Sequence, residues 1–213
     1  MYQAVLDNKE VAIIGYSGHG LVVAEAALNA GIMLKYYVDK HVAGVDPFNL
    51  TFLGFEEDAS FIGWGGKHEY ILGIGDNKTR EKLARLIISN SGNILTVIHP
   101  DASISKEANI GNGVFVARNV SLNILVSVGD YAILNTGAVI DHECVLGNGV
   151  HIAPGAVLAG NVTIGDRAFI GANSVIKQGI SIGKDAIIGA GSVVIRDIPD
   201  GGKFAGNPAK QIT

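Results

Sequence analysis

The sequence predicts two domains: a small α/β unit with a parallel, Rossmann-like sheet over residues 1–98, then a parallel β-helix built from hexapeptide repeats over 99–213. Three observations predict it. An aliphatic residue recurs every six positions through the second half, strand-like and helix-like segments alternate in the first, and glycine is abundant. There are 29 glycines against 5 prolines, which suits many tight backbone corners and not a collagen-like or disordered chain.

The repeat carries most weight. Stepping by six from Ile104 through Ile140, Ile152 and Ile170 to Val194, all sixteen positions are aliphatic, where composition alone would place one in about three. Four residues after each comes a small or β-branched residue, among them Ala132, Ala138, Cys144, Val150 and Ala156. Glycine often follows the aliphatic directly, as at Gly111, Gly129, Gly147 and Gly165. A helix repeats near 3.6 residues and a strand at 2, so neither produces six. A coiled solenoid does, with each hexad forming one flat side and its aliphatic turned inward. Three hexads per coil predict about five coils and, at ~4.8 Å per layer, a prism roughly 25 Å tall.

Residues 1–98 lack this period. Val11–Gly15 reads as a buried strand, followed by a turn at Tyr16–Gly20 and an apolar helix over Leu21–Ala30. Further strands are expected at Tyr36–Val38, Tyr70–Ile74 and Ile94–Ile98, with an amphipathic helix over Asn77–Ser89. Alternation of this kind implies a parallel sheet. Its carboxyl edge would gather the loops at Gly15–Gly20, Asp39 and Gly75–Asn77, where ligands bind in such sheets. The Gly-rich loop departs from a dinucleotide fingerprint, because Ser17 replaces the middle glycine. It fits either a phosphate cradle at a helix N-terminus, with Asp39 on a ribose hydroxyl, or a tight structural turn.

Bulk properties exclude several function classes. The net charge of −4 and the absence of Lys/Arg runs argue against nucleic acid or an anionic membrane as partner. No stretch approaches the ~18 apolar residues of a membrane span. The first residues lack the basic start and apolar core of a secretory leader, and the only cysteine, Cys144, cannot form an intrachain disulfide. A cytoplasmic protein is expected.

In a solenoid most positions serve packing, so reactive residues at corners are informative. Ile140 and Cys144 hold inward registers, which turns Asp141, His142 and Glu143 outward. Histidine is the natural base near neutral pH, and an adjacent carboxylate can orient it. His151 lies half a coil on and faces another side, so it either meets His142 across a subunit boundary or is structural. Asn135-Thr136 offers hydrogen bonds to a bound amide, or Asn135 serves only the turn. His68 and His99 read as structural. A zinc shared by His99, His142 and His151 is not expected, since His99 precedes the first coil.

The solenoid, Asn135-Thr136, Asp141-His142-Glu143, Ala159-Gly160-Asn161-Val162 and the tail Ala205–Lys210 resemble the hexapeptide acyltransferases. With Gly15–Gly20, Gly75-Asp76-Asn77 and Ile98-His99-Pro100, the chain is similar to their nucleotide-sugar branch: PglD-type bacillosamine-pathway and perosamine N-acetyltransferases, with NeuD-type sialic-acid O-acetyltransferases close by. The resemblance implies a left-handed β-helix, a homotrimer, and acetyl-CoA bound between neighbouring solenoids, with no metal. It implies His142 as general base and Glu143 as the group that raises its basicity. It also implies Asn135, His151, Gly160, Ala172 and Ala190 at the acetyl-CoA site, and Ser17, Gly18, His19, Asp39, Lys40 and Gly75 at the nucleotide-sugar site. Lys40 stands where some members carry a second acid.

The expected reaction is acetyl transfer from acetyl-CoA to the 4-amino group of a UDP-linked amino-deoxy sugar, with no acyl-enzyme and with a backbone N–H or the neighbouring subunit's His151 on the oxyanion. Two alternatives stand beside it. One is O-acetylation of a sialic acid or related sugar; the other is a non-catalytic solenoid that binds nucleotide sugars.

Overall fold

The computed structural model describes residues 10–212; the segment read above for a leader lies outside it. The α/β unit contains β1 (Glu10–Ile14), α1 (Gly18–Asn29), β2 (Leu34–Val38), β3 (Thr51–Phe52), β4 (His68–Leu72), α2 (Asn77–Ser89) and β5 (Asn93–Ile94). All its strand pairs are parallel, in the order β3-β2-β1-β4-β5. The strand order reverses between β1 and β4, and the crevice of such a sheet opens there, beyond the strands' carboxyl ends. The Asp76 carboxylate caps α2 by accepting from the Thr79 N–H at 2.9 Å. Leu83, Ala84 and Ile87 lie on the buried face of α2.

Two local readings are corrected. Thr51–Phe52 adds an edge strand that its two residues could not announce. Ile94–Ile98 is not one strand, because the chain changes sheets inside it. The Leu95 N–H donates to Tyr70 on β4, whereas the Val97 N–H donates to Val114 of the solenoid.

From Val97 the chain winds as a left-handed parallel β-helix with three faces. Each two-residue strand pairs with the strands eighteen residues before and after, as Leu122 does with Ile104 and Ile140. The docking face carries Phe115, Ile133, His151 and Phe169 outward; the valine face carries Val139, Val157, Val175 and Val193. A third face holds strands such as Val145–Leu146. The stack outruns the sixteen hexads, because Val97–Ile98 and the tail strand Lys203–Ala205 extend the docking face at its two ends.

Inside, Ile140, Ile152, Leu158, Ile170, Ala138, Ala156 and Cys144 have no accessible surface. At the corners after the third face, side chains of one coil cap N–H groups of the coil before. The Asp166 carboxylate accepts from the Asn148 N–H at 2.8 Å, and Asn148 Oδ1 from the Asp130 N–H at 2.8 Å. That approach explains Gly147, where a Cβ would stand 2.5 Å from Asp166 Oδ1. The α/β unit sits on the docking face, and the apolar core runs unbroken from Val23 and Ala27 of α1 to Phe115 and Ile133.

Candidate active site

The corner between the valine face and the third face carries Asp141-His142-Glu143. Asp141 is a brace: its Oδ1 accepts from the His142 N–H at 2.8 Å and from Asn123 Nδ2 at 2.7 Å, and these bonds hold its carboxyl below the ordinary range. His142 Nδ1 lies 3.0 Å from Glu143 Oε2. With Nδ1–H donating to the carboxylate, Nε2 carries the free lone pair and has no hydrogen-bond partner among the described residues. Both side chains are substantially exposed.

Eighteen residues on, Gly160 lies beneath this ring. A Cβ there would overlap the imidazole, so the absence of a side chain is what lets His142 lie flat against the next coil. The Gly160 N–H finds no acceptor among the described residues, which leaves a donor beside the base. Glu143 stands at φ +60°, in a column with Leu125, Asn161 and Gly179, also in the left-handed region. Cys144 has no access to solvent; its thiol lies 3.2 Å from the Ala159 carbonyl, and burial pushes its pKa up.

A second cluster forms where the α/β crevice meets the docking face. His19, in the first turn of α1, packs edge-on against Phe115 with ring centroids 5.6 Å apart and lies 6.1 Å from His151. Its Nε2 is buried without a partner. Desolvation, with the Arg80 charge nearby, drops His19 to about 4. His151 is 8% exposed and is likewise lowered to about 4, mainly by desolvation and then by Arg80. It is therefore neutral, with Nδ1 3.3 Å from the Gly75 carbonyl and Nε2 3.2 Å from Asn135 Nδ2. Only the Nδ1–H tautomer satisfies both contacts. Both nitrogens are thus engaged within the chain.

The remaining predicted residues divide by place. Ser17 ends the β1–α1 loop as the N-cap residue but makes no side-chain cap bond, so its hydroxyl and the first N–H groups of α1 face outward with Gly18. Gly15, Gly20 and Gly73 have a packing reason, since a Cβ on Gly20 or Gly73 would strike the Gly15 carbonyl. No such reason exists at Gly18, where the space is open. Asp39 accepts from the Tyr16 N–H at 2.9 Å and the Lys40 N–H at 2.7 Å. Lys40 reaches over the Phe55 ring, 5.7 Å from its centroid. Ala172 and Ala190 lie one coil apart at the corner between the docking and valine faces, away from His142.

His19, Gly75, Asn135 and His151 are therefore brought together, and so are His142, Glu143 and Gly160. Within one chain the second group sits at the corner opposite the docking face, so the two groups do not meet. His99 has partners the sequence did not show, accepting from the Asp101 N–H and contacting Asn29 Nδ2. Arg80 was missed as well: it stands on the amphipathic helix α2, drew no separate reading from the sequence, and is 1% exposed. Among the described residues no helix is long and apolar enough to cross a membrane.

Comparison with known proteins places this architecture. Residues 10–87 match the model of the PglD N-terminal domain, and residues 161–196 that of the hexapeptide repeat of succinyl-transferase. UDP-N-acetylbacillosamine N-acetyltransferase of Bacillus subtilis is 32% identical over 127 residues, 51% of this chain and 51% of that protein. The match thus spans about half the length of the curated relative. The acetyltransferase domain of PglB from Neisseria gonorrhoeae superposes with a TM-score of 0.89 at 33% identity, over 96% of this chain and 100% of that one. PerB from Caulobacter crescentus, solved with CoA and GDP-perosamine, gives a TM-score of 0.86 at 36% identity, over 99% and 100%. By its fold, its repeats and these relatives, the chain belongs to the PglD-like family of hexapeptide-repeat acetyltransferases.

Proposed function

We propose that the protein transfers the acetyl group of acetyl-CoA to the 4-amino group of a UDP-linked amino-deoxy sugar in surface-glycan assembly, with His142 as general base. The observation that carries this reading is the His142–Glu143 pair: an exposed imidazole, oriented at 3.0 Å by a carboxylate, above a side-chain-free glycine with an unused N–H. Glu143 fixes Nδ1–H, so Nε2 can take the proton of the amine as its nitrogen attacks the thioester carbonyl. The Gly160 N–H, without an acceptor among the described residues, would stabilise the developing oxyanion. Collapse of the tetrahedral intermediate breaks the C–S bond, and His142 returns the proton to the leaving thiolate. No covalent acyl-enzyme is needed.

The nucleotide sugar would lie in the β1/β4 crevice, on Ser17, Gly18, His19, Asp39, Lys40 and Gly75. Acetyl-CoA would use Asn135, His151, Gly160, Ala172 and Ala190. These positions lie at different corners of one prism, and a closed homotrimer would join them. The valine face supports it, with Val175 41% exposed, and so do Ile124 and Leu125, 49% and 58% exposed one coil before His142 and Glu143. A neighbouring copy covering this apolar strip would bring its own crevice to His142. We place the protein in the cytoplasm, where acetyl-CoA and nucleotide sugars are made.

The test is CoA release from acetyl-CoA with UDP-linked and GDP-linked 4-amino sugars and with a sialic acid, for the wild type and His142→Ala. Release with the UDP-amino sugar, falling ~100-fold or more in the variant while nucleotide binding persists, is expected. Release with the GDP-linked sugar alone would change the nucleotide, and release with sialic acid alone would make the enzyme an O-acetyltransferase. Unchanged turnover in the variant would remove His142 from the mechanism.

A further inference from the structure

Arg80 lies on α2, 1% exposed, at the junction of the two domains. On the α/β side its guanidinium donates to the Ile74 carbonyl (3.2 Å), the Gly75 carbonyl (3.0 Å) and Asn77 Oδ1 (2.9 Å). On the solenoid side it donates to the carbonyls of Tyr131 (2.7 Å), Gly149 (2.8 Å) and Val150 (3.4 Å). Three acceptors on each side use all five of its N–H groups. None of the six is a carboxylate. Burial lowers the guanidinium to about 10, so it stays charged at neutral pH, with the Asp76 charge only partly offsetting the burial.

Burying a charge without a counter-ion costs several kcal/mol, and apolar residues of similar volume often hold a core as well or better. Packing alone therefore does not call for arginine here. What the planar fork does that an apolar residue cannot is fix two backbone segments from different domains in one register. Those segments matter. Gly75 lines the crevice and also accepts from His151 Nδ1, and Val150 immediately precedes His151.

We propose that Arg80 is a positioning residue for acetyl transfer: it locks the crevice loop at Gly75 to the solenoid strand of His151, setting the sugar site relative to the acetyl-CoA site. The neighbouring contacts run the same way. Asn77 Nδ2 donates to the Arg167 carbonyl at 2.8 Å, and Arg167 reaches Glu81 of α2 at 3.4 Å. Removing Arg80 leaves each pocket its own residues but loosens their relation. Misplacement by about 1 Å can cost ~100-fold in rate.

The proposal rests on the acetyl-transfer reading, and the experiment separates the two. Arg80→Lys and Arg80→Met are compared with wild type by thermal melting, steady-state kinetics and amide hydrogen exchange. In the folded Lys variant, kcat is expected to fall ~100-fold, with KM for the nucleotide sugar and for acetyl-CoA each within about threefold of wild type. Exchange should quicken over residues 73–77 and 149–153 and stay unchanged at Val157–Leu158. A kcat that follows only the loss of melting temperature, an unchanged exchange pattern, or a parallel rise of both KM values would overturn the positioning role. So would failure of both variants to fold, which would make Arg80 a folding element. A silent wild type would instead refute acetyl transfer, while the exchange comparison would still decide whether Arg80 sets the seam.

Discussion

Glu143 occupies a backbone conformation that its residue type dislikes. At φ +60° an L-residue with a Cβ costs roughly 1–2 kcal/mol, and glycine is exempt. One coil later the corner uses Asn161 and two coils later Gly179, so the fold accepts the cheaper solution at this place. The glutamate is retained where its carboxylate meets His142 Nδ1. Glu143→Gly is therefore expected to keep or slightly raise the melting temperature while lowering kcat at least tenfold. Thermal melts beside initial rates would check it, and unchanged turnover would show that the carboxylate does not orient the base.

The solenoid coil is the element that makes such a corner possible, and its stability is local, since each rung touches only its neighbours. Ile152, without accessible surface in the middle of the stack, should cost about 2–5 kcal/mol on truncation to Ala. Ile104, in the first hexad and only partly buried, should cost clearly less. Chemical denaturation of the two variants tests this, and equal losses would show that the coils do not fray from the end. The same repetition explains what the sequence could reveal. Every hexad solves one geometric problem, so the period-six pattern and its inward residues were legible, and the apolar stripe marked α2. The break between Leu95 and Val97 was not, because both residues suit a strand and only their partners differ. Nor was the setting of His151: outward positions look alike until a domain covers one face. Arg80 was invisible for a similar reason, as its solenoid acceptors lie 51 to 70 residues away.

At the scale of the molecule, the seam between the domains concentrates three groups that cannot all be charged cheaply. Arg80 is already cationic there, and His19 and His151 lie 6.1 Å apart beside it, each lowered to about 4. Their folded pKa values lie below the ~6.5 of a free histidine, so the unfolded chain takes up protons first as the pH falls. The stability held by the neutral imidazoles is complete above about pH 6.5 and drains away as pH falls toward about 4. At ~1.4 kcal/mol per pH unit, each histidine accounts for up to about 3 kcal/mol. Melting temperature should be level near neutrality and drop steeply below pH 6, with amide exchange at 73–77 and 149–153 rising first. Replacing both histidines by asparagine should flatten that limb of the profile even if it lowers the plateau. If the double variant keeps the wild-type slope, the acid loss comes from carboxylates elsewhere, such as Asp185 paired with Arg167 at 2.8 Å. In that case the seam is held by Arg80 and its carbonyls without help from the neutrality of its histidines.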